Sequence, residues 1–356
     1  MRSPYQDLPD RAFWRSSVGR DDAASLAQLW TPKAGITRET ALMTIGSCFA
    51  QHLHRALVRG GWNVLQGEDM SAHLPTRLCH RYGYNLFSGR YGNVYTARQF
   101  RQLIEQALSP APAPGPIWEK DGRFYDALRP TVEPEGLGHP DEVMQSRREH
   151  LVALRGVLER AECIILTLGL TEGWIDSASG YALPTAPGTV AGDHDPARAT
   201  FHNFTQTEVM EDLRASRDLL RAHGCSARFV LTVSPVPLVA TASGDHVASA
   251  TAYSKAVLRA ACGELQMSDP DFDYFPAYEI VTTTIARGPY LDQFARQPTD
   301  EGVQLVLKAF SLALGAGETS GKGAEADSPA IPPTPLPTPV DDDTICEEIL
   351  LEAFRK

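Results

Sequence analysis

Absent from this 356-residue chain are a C-x-x-C pair, an apolar run long enough to span a bilayer, an excess of basic charge and any histidine beyond His246. Each absence narrows the function. The six cysteines, Cys48, Cys79, Cys163, Cys225, Cys262 and Cys346, are scattered singly, which argues against a disulfide framework or a zinc site and leaves them as small apolar filler or free thiols. The first thirty residues lack the charged start and apolar run of a secretory signal, and no segment reaches bilayer length. A cytoplasmic protein without a membrane span is therefore expected. With 33 basic against 44 acidic side chains the net charge is −11, a sign that disfavours a nucleic-acid surface and a polybasic membrane patch. A neutral or cationic small substrate fits better.

What is present is an alternation of short β-branched and aliphatic runs with longer helical patterns, the mark of an α/β fold with a mainly parallel sheet. The predicted strands are "ALMTI" at 41, "WNVLQ" at 62, "CIILTLGL" at 163, "RFVLTVSP" at 228 and "FDYFPAY" at 272. The predicted helices span residues 48–59, 96–108, 141–162, 205–223, 248–266 and 299–314. "TQTEV" and "TDEGV" offer Thr205 and Thr299 as N-caps with acids in the first turn, and Gly224 marks a helix stop. "WEKDGRFYDAL" and "WIDSASGYAL" each hold two short runs around Asp-Gly or Ser-Gly and read as hairpin insertions.

Composition changes at Gly315. The expected organisation is an N-terminal extension at 1–40, a domain at 41–316, a Pro-rich linker at 317–340 and a short amphipathic helix at 341–356. That helix carries acids at its start, an apolar face at Ile345, Ile349 and Phe354, and Arg355-Lys356 at its end. A helix so short is marginal alone; it is expected to dock on its own domain, on a protein partner or on a second copy.

The chemistry centres on "ALMTIGSCFAQHLHRAL", where a strand ends in Gly46-Ser47 and passes directly into a helix. Ser47 then stands at the carboxyl edge of the sheet, where open α/β folds keep their ligands, beside free helix N–H groups suited to a developing oxyanion. Gly46 permits the tight turn. The plain alternative is that Ser47 is only an N-cap. Cys48 is the rival nucleophile, since a helix N-terminus lowers a thiol's pKa.

"GSCFA" is the motif for which the GSCFA-domain family is named, and the chain resembles that family further in "YGNVYTARQ", "IILTLGLTEGW", "FHNF", "LTVSPVPLVAT", "YSKAVLR" and "YFPAYEI", in order. The resemblance covers roughly residues 42–310. It implies membership of the SGNH, or GDSL-like, hydrolases: a flavodoxin-like three-layer α/β/α fold, Ser47 as nucleophile, and an oxyanion hole to which Gly92 and Asn93 correspond, with Asn85 a weaker match. "LGLTE" departs from that superfamily's Gly-x-Asn-Asp block, placing Thr171 and Glu172 where an amide is usual.

A serine needs a base. The superfamily takes it from an Asp-x-x-His before the last helix, where this chain has "YLDQFARQPTDEGV" with Gln297. The remaining candidates are His246, in the loop after the strand at 228, and His202, in a loop just before a helix, with Glu172 as orienting group or base; Asn203 and Lys255 are candidate substrate contacts. His52 and His54 read as packing or surface residues.

Three functions follow. The first is a serine esterase or O-acyltransferase acting on an acyl ester of a sugar or small metabolite, requiring no cofactor and no metal. The second is a non-catalytic carbohydrate- or protein-binding module on a degenerate fold, and the third a Cys48-dependent acyltransferase.

Overall fold

The computed structural model describes residues 3–18, 28–70, 72–282, 290–293, 295–314 and 346–354, with the side chains of 348, 349, 352 and 353 set aside. The linker expected at 317–340, Ile345, the side chain of Ile349 and Arg355-Lys356 lie outside the described residues.

The strands are β1 Leu42–Gly46, β2 Ile117–Lys120, β3 Arg123–Asp126, β4 Cys163–Leu168, β5 Glu172–Asp176, β6 Ala182–Leu183, β7 Ala199–Asn203, β8 Arg228–Val233 and β9 Phe272–Tyr274. The main helices are α1 Cys48–Arg59, α2 Ala97–Leu108, α3 Pro140–Arg160, α4 Gln206–Ala222, α5 Val247–Ser268, α6 Ala277–Thr282 and α7 Asp300–Ala313. Short helical turns also occur at Asp10–Ala12, Trp14–Ser17 and Thr76–Arg81.

The central sheet is parallel throughout, in the order β1-β4-β8-β9. The predicted strand at 62 is reduced to one bridge, Leu42 to Val64, held by Leu42 N–H on the Asn63 carbonyl (2.9 Å) and Leu65 N–H on that of Leu42 (2.8 Å). Counting that bridge, the order is 2-1-3-4-5, the doubly wound pattern whose ligand crevice opens where the order reverses, between β1 and β4.

Side-chain alternation sends the strands' apolar residues to two cores. Met43, Ile45, Ile164, Leu166, Phe229 and Leu231 pack under α2, α3, α4 and α5 on one face. Leu42, Cys163, Ile165 and Val230 pack with α1, α6, α7 and Trp30 on the other. The result is a three-layer α/β/α fold. Both insertions form: β2 and β3 pair antiparallel across Asp121-Gly122, and β5 pairs with β6. Asp121 and Gly122 both have positive φ, 52° and 71°, as a two-residue primed turn demands.

One local expectation is corrected. His202 lies not in a loop but on β7, paired antiparallel with β5 opposite Gly173; the five residues of "ATFHN" complete a β6-β5-β7 sheet by giving the far edge of β5 its hydrogen-bond partners. The C-terminal segment is a 3-10 helix, Glu347–Phe354. A rise of about 2.0 Å per residue instead of 1.5 Å stretches it further along the surface it covers.

Candidate active site

The corner between β1 and α1 begins with Gly46, whose φ of +146° and close approach to β4 exclude a side chain; a Cβ there would stand 2.3 Å from the Thr167 carbonyl oxygen. That approach lets Ser47 N–H donate to the same carbonyl at 3.0 Å, fixing the serine at the carboxyl ends of β1 and β4. Ser47 occupies the N-cap position of α1 in extended geometry, yet its side chain makes no capping bond. Its Oγ is buried, the residue being 1% exposed, and has no hydrogen-bond partner among the described residues. A buried hydroxyl left unbonded costs about 1–3 kcal/mol.

The segment 93–95 crosses the same crevice. Val94 N–H donates to the Gly46 carbonyl at 2.9 Å, and Gly169 N–H to that of Tyr95 at 2.9 Å. Gly169 is the close neighbour of the serine: a Cβ on it would meet both Ser47 Cβ and Tyr95 Cδ1 at 3.0 Å. Asn93 is oriented by Gln51, four residues beyond Ser47 on the same face of α1, whose Nε2 donates to Asn93 Oδ1 at 3.1 Å. That fixes Asn93 Nδ2 as a donor into the crevice. Gly92, in left-handed geometry at φ +68°, flanks it.

The family model for the GSCFA family matches residues 41–310. The chain belongs to the GSCFA family. No curated protein and no solved structure matches it significantly.

In this GSCFA chain the other sequence-nominated residues divide between the crevice and its surroundings. Lys255 is fully buried on α5 and its Nζ donates to the Gly169 carbonyl, so it braces the glycine that touches Ser47. Its neighbour Ser254 accepts from Thr171 N–H at 2.8 Å. Thr171 in turn donates its hydroxyl to Asn203 Oδ1 at 2.6 Å, which places Asn203 in the framework behind β5. Glu172 is buried; Thr241 Oγ1 donates to its Oε1 at 2.6 Å, and burial, the dominant influence, pushes its carboxyl above the ordinary range.

Neither histidine nominated as base bonds to Ser47. His202 Nε2 pairs with Glu208 Oε1 at 2.8 Å, at a half-exposed site. His246 is the exposed N-cap of α5, its Nδ1 accepting from Ala248 N–H at 3.2 Å. Asn85 is turned away, donating to Asp69 at 3.1 Å. Gln297 lines a groove of about 1390 Å³ together with Glu172, Trp174, His194, Phe201 and Arg296.

Cys48 is buried in the second core with Phe49 and Leu53. There it contacts the thiol of Cys346, whose pKa that contact lowers against the raising effect of burial. Among the described residues no group of three or more His, Cys, Asp and Glu side chains has metal-holding geometry, and no helix is long and apolar enough to cross a membrane.

Sequence reasoning did not single out Gln51, Tyr95, Thr131 or Glu347. A signal existed for the first two: Gln51 stands at the i+4 position from Ser47, and Tyr95 closes the "YGNVY" block. Thr131 and Glu347 carry no comparable pattern.

Proposed function

We propose that this GSCFA protein is a serine esterase or O-acyltransferase of the SGNH-like kind, acting on an acyl ester of a sugar or small metabolite. The observation that carries the reading is the buried, unbonded Oγ of Ser47 at the switch point of the sheet. A hydroxyl kept free there, at the cost of an unmade bond, is what a nucleophile requires.

Attack by Ser47 Oγ on an ester carbonyl builds negative charge on the carbonyl oxygen. The N-terminus of α1, Gly92 and the Nδ2 of Asn93 supply positive potential on that side. We assign the serine proton to Glu172: it lies three residues beyond Gly169, lines the groove, and its burial makes its carboxylate more basic. His202 and His246 remain the alternatives, each having to leave its present bond. The wide groove with Trp174, His194 and Phe201 gives an acyl acceptor such as a sugar apolar faces to stack on. The six free thiols fit the reducing cytoplasm.

A fluorophosphonate probe tests this directly. Wild-type protein should be labelled and Ser47→Ala should not; Glu172→Gln should slow labelling, whereas His202→Ala and His246→Ala should leave it. An unlabelled wild type, beside a labelled standard serine hydrolase, removes the esterase reading. The second reading, a carbohydrate- or protein-binding module, is favoured by the lack of any base bonded to Ser47 among the described residues and would then stand. Rapid iodoacetamide modification of Cys48 in the folded chain is the result that would revive the thiol mechanism, against its burial at 3% exposure.

A further inference from the structure

The crevice beside Ser47 is already occupied by a carboxylate from the chain itself. Glu347, 1% exposed and 254 residues from Asn93, accepts hydrogen bonds at Oε2 from Asn93 Nδ2 and from Tyr95 OH (2.8 Å), and at Oε1 from Thr131 Oγ1 (2.7 Å). Its Oε1 also lies against Gly92, where a Cβ would stand 3.8 Å away. No ion pair to Glu347 exists among the described residues. A carboxylate taken out of water with only neutral donors is held less securely than one facing a guanidinium.

The preceding Cys346 is buried against Cys48 and Tyr95. Further along the segment, Leu351 and Phe354 reach the rim of the large groove. Arg296 also lines that groove, and its Nε and Nη2 are buried without hydrogen-bond partners among the described residues. A carboxylate seated on three converging donors runs against the neutral or cationic ligand suggested by net charge alone.

We propose that Asn93, Tyr95 and Thr131 form a carboxylate-binding subsite of the Ser47 crevice, that its resident ligand is Glu347 of the C-terminal segment, and that a carboxylate-bearing substrate displaces this segment to enter. The functional half rests on the serine-enzyme reading; the binding half does not. The segment is a reversible plug: it fills the donors that a bound acid would use and roofs the groove's entrance with Leu351 and Phe354.

The test uses the full-length chain and two readouts. The first is alkylation of Cys346 by iodoacetamide, located by mass spectrometry. In the native wild type Cys346 should react at least about tenfold more slowly than in urea, as expected for a docked thiol; in Glu347→Lys, which sets an ammonium against three donors, it should approach the urea rate. Equal rates in native and denatured wild type overturn the plug.

The second readout is binding of a dye-labelled peptide of residues 341–356 to the Glu347→Lys chain, followed by anisotropy. The wild-type peptide should bind at least about tenfold more tightly than the same peptide carrying Glu347→Gln, because only the carboxylate accepts from all three donors. Equal affinities overturn the carboxylate subsite. Fluorophosphonate labelling of Ser47 should be faster in Glu347→Lys and slowed again by the wild-type peptide. Protection of Cys346 and peptide selectivity without any serine labelling would retain the subsite and discard the enzyme reading. Should Glu347→Lys fail to fold, Glu347→Gln, equal in size, carries the same comparison.

Discussion

Among the described helices, four begin at a serine or threonine in extended geometry, and they use it differently. Thr96 before α2 and Thr205 before α4 close capping boxes, their hydroxyls accepting from Gln99 N–H and Glu208 N–H; Thr299 before α7 accepts from Gly302 N–H. Ser47 before α1 holds the same backbone position and makes no such bond. The three threonines terminate helices. The serine sits on a strand-to-helix corner at the switch point, where capping would consume the oxygen that the proposed attack uses. Further along, α1 is tied to its surroundings by His54, whose Nδ1 bonds Thr44 Oγ1 of β1 at 2.7 Å and whose Nε2 meets Gln66 Nε2 at 3.0 Å.

The largest expected effect comes from breaking the corner that sets Ser47 apart. Gly46→Ala forces a Cβ to 2.3 Å from the Thr167 carbonyl at a positive φ, and should lower the unfolding free energy by on the order of 3 kcal/mol or more. Denaturant unfolding measures it. An alanine accepted at little cost would mean that the corner is not fixed by this contact.

Next comes the pH dependence of the α1 anchor. Burial, ahead of the repulsion from Arg55 and His80, lowers the His54 pKa from 6.5 to about 4. Between those values the unfolded chain takes up a proton that the folded chain refuses, so stability is full above pH 6.5 and falls as pH drops toward 4. His54 accounts for about 3 kcal/mol of that loss. His54→Asn should flatten this part of the acid limb; an unchanged slope would show that other groups carry it. Smaller still is the cap itself: Thr205→Ala should cost about 1 kcal/mol, and a change below a few tenths would undo the contrast with Ser47.

How much of this was legible depends on whether a feature is local. The strand-Gly-Ser-helix corner, the Thr205 and Thr299 caps and the Asp-Gly turn are readable because their causes lie within a few residues. The strand at 62 was overread, since β-propensity does not reveal how short a stretch β1 pairs there. His202 was misplaced in a loop because its strand exists only through pairing with β5. Glu347 was beyond reach: its partners Asn93, Tyr95 and Thr131 lie more than 200 residues away, and a Pro-rich composition between them hides any register.

The smallest expected change in stability is also the most discriminating. Ser47→Ala removes a hydroxyl that bonds nothing among the described residues and retains the corner's backbone bond to Thr167. If Ser47 were a cap like Thr205, alanine would cost about 1 kcal/mol. Because it is not, alanine should be neutral or stabilising by up to about 1 kcal/mol, the relief of an unpaired buried oxygen. Thermal or urea unfolding of Ser47→Ala beside Thr205→Ala gives the two signs in one experiment. A destabilised Ser47→Ala would show that the hydroxyl is bonded in solution, and would take away the observation on which the nucleophile assignment rests.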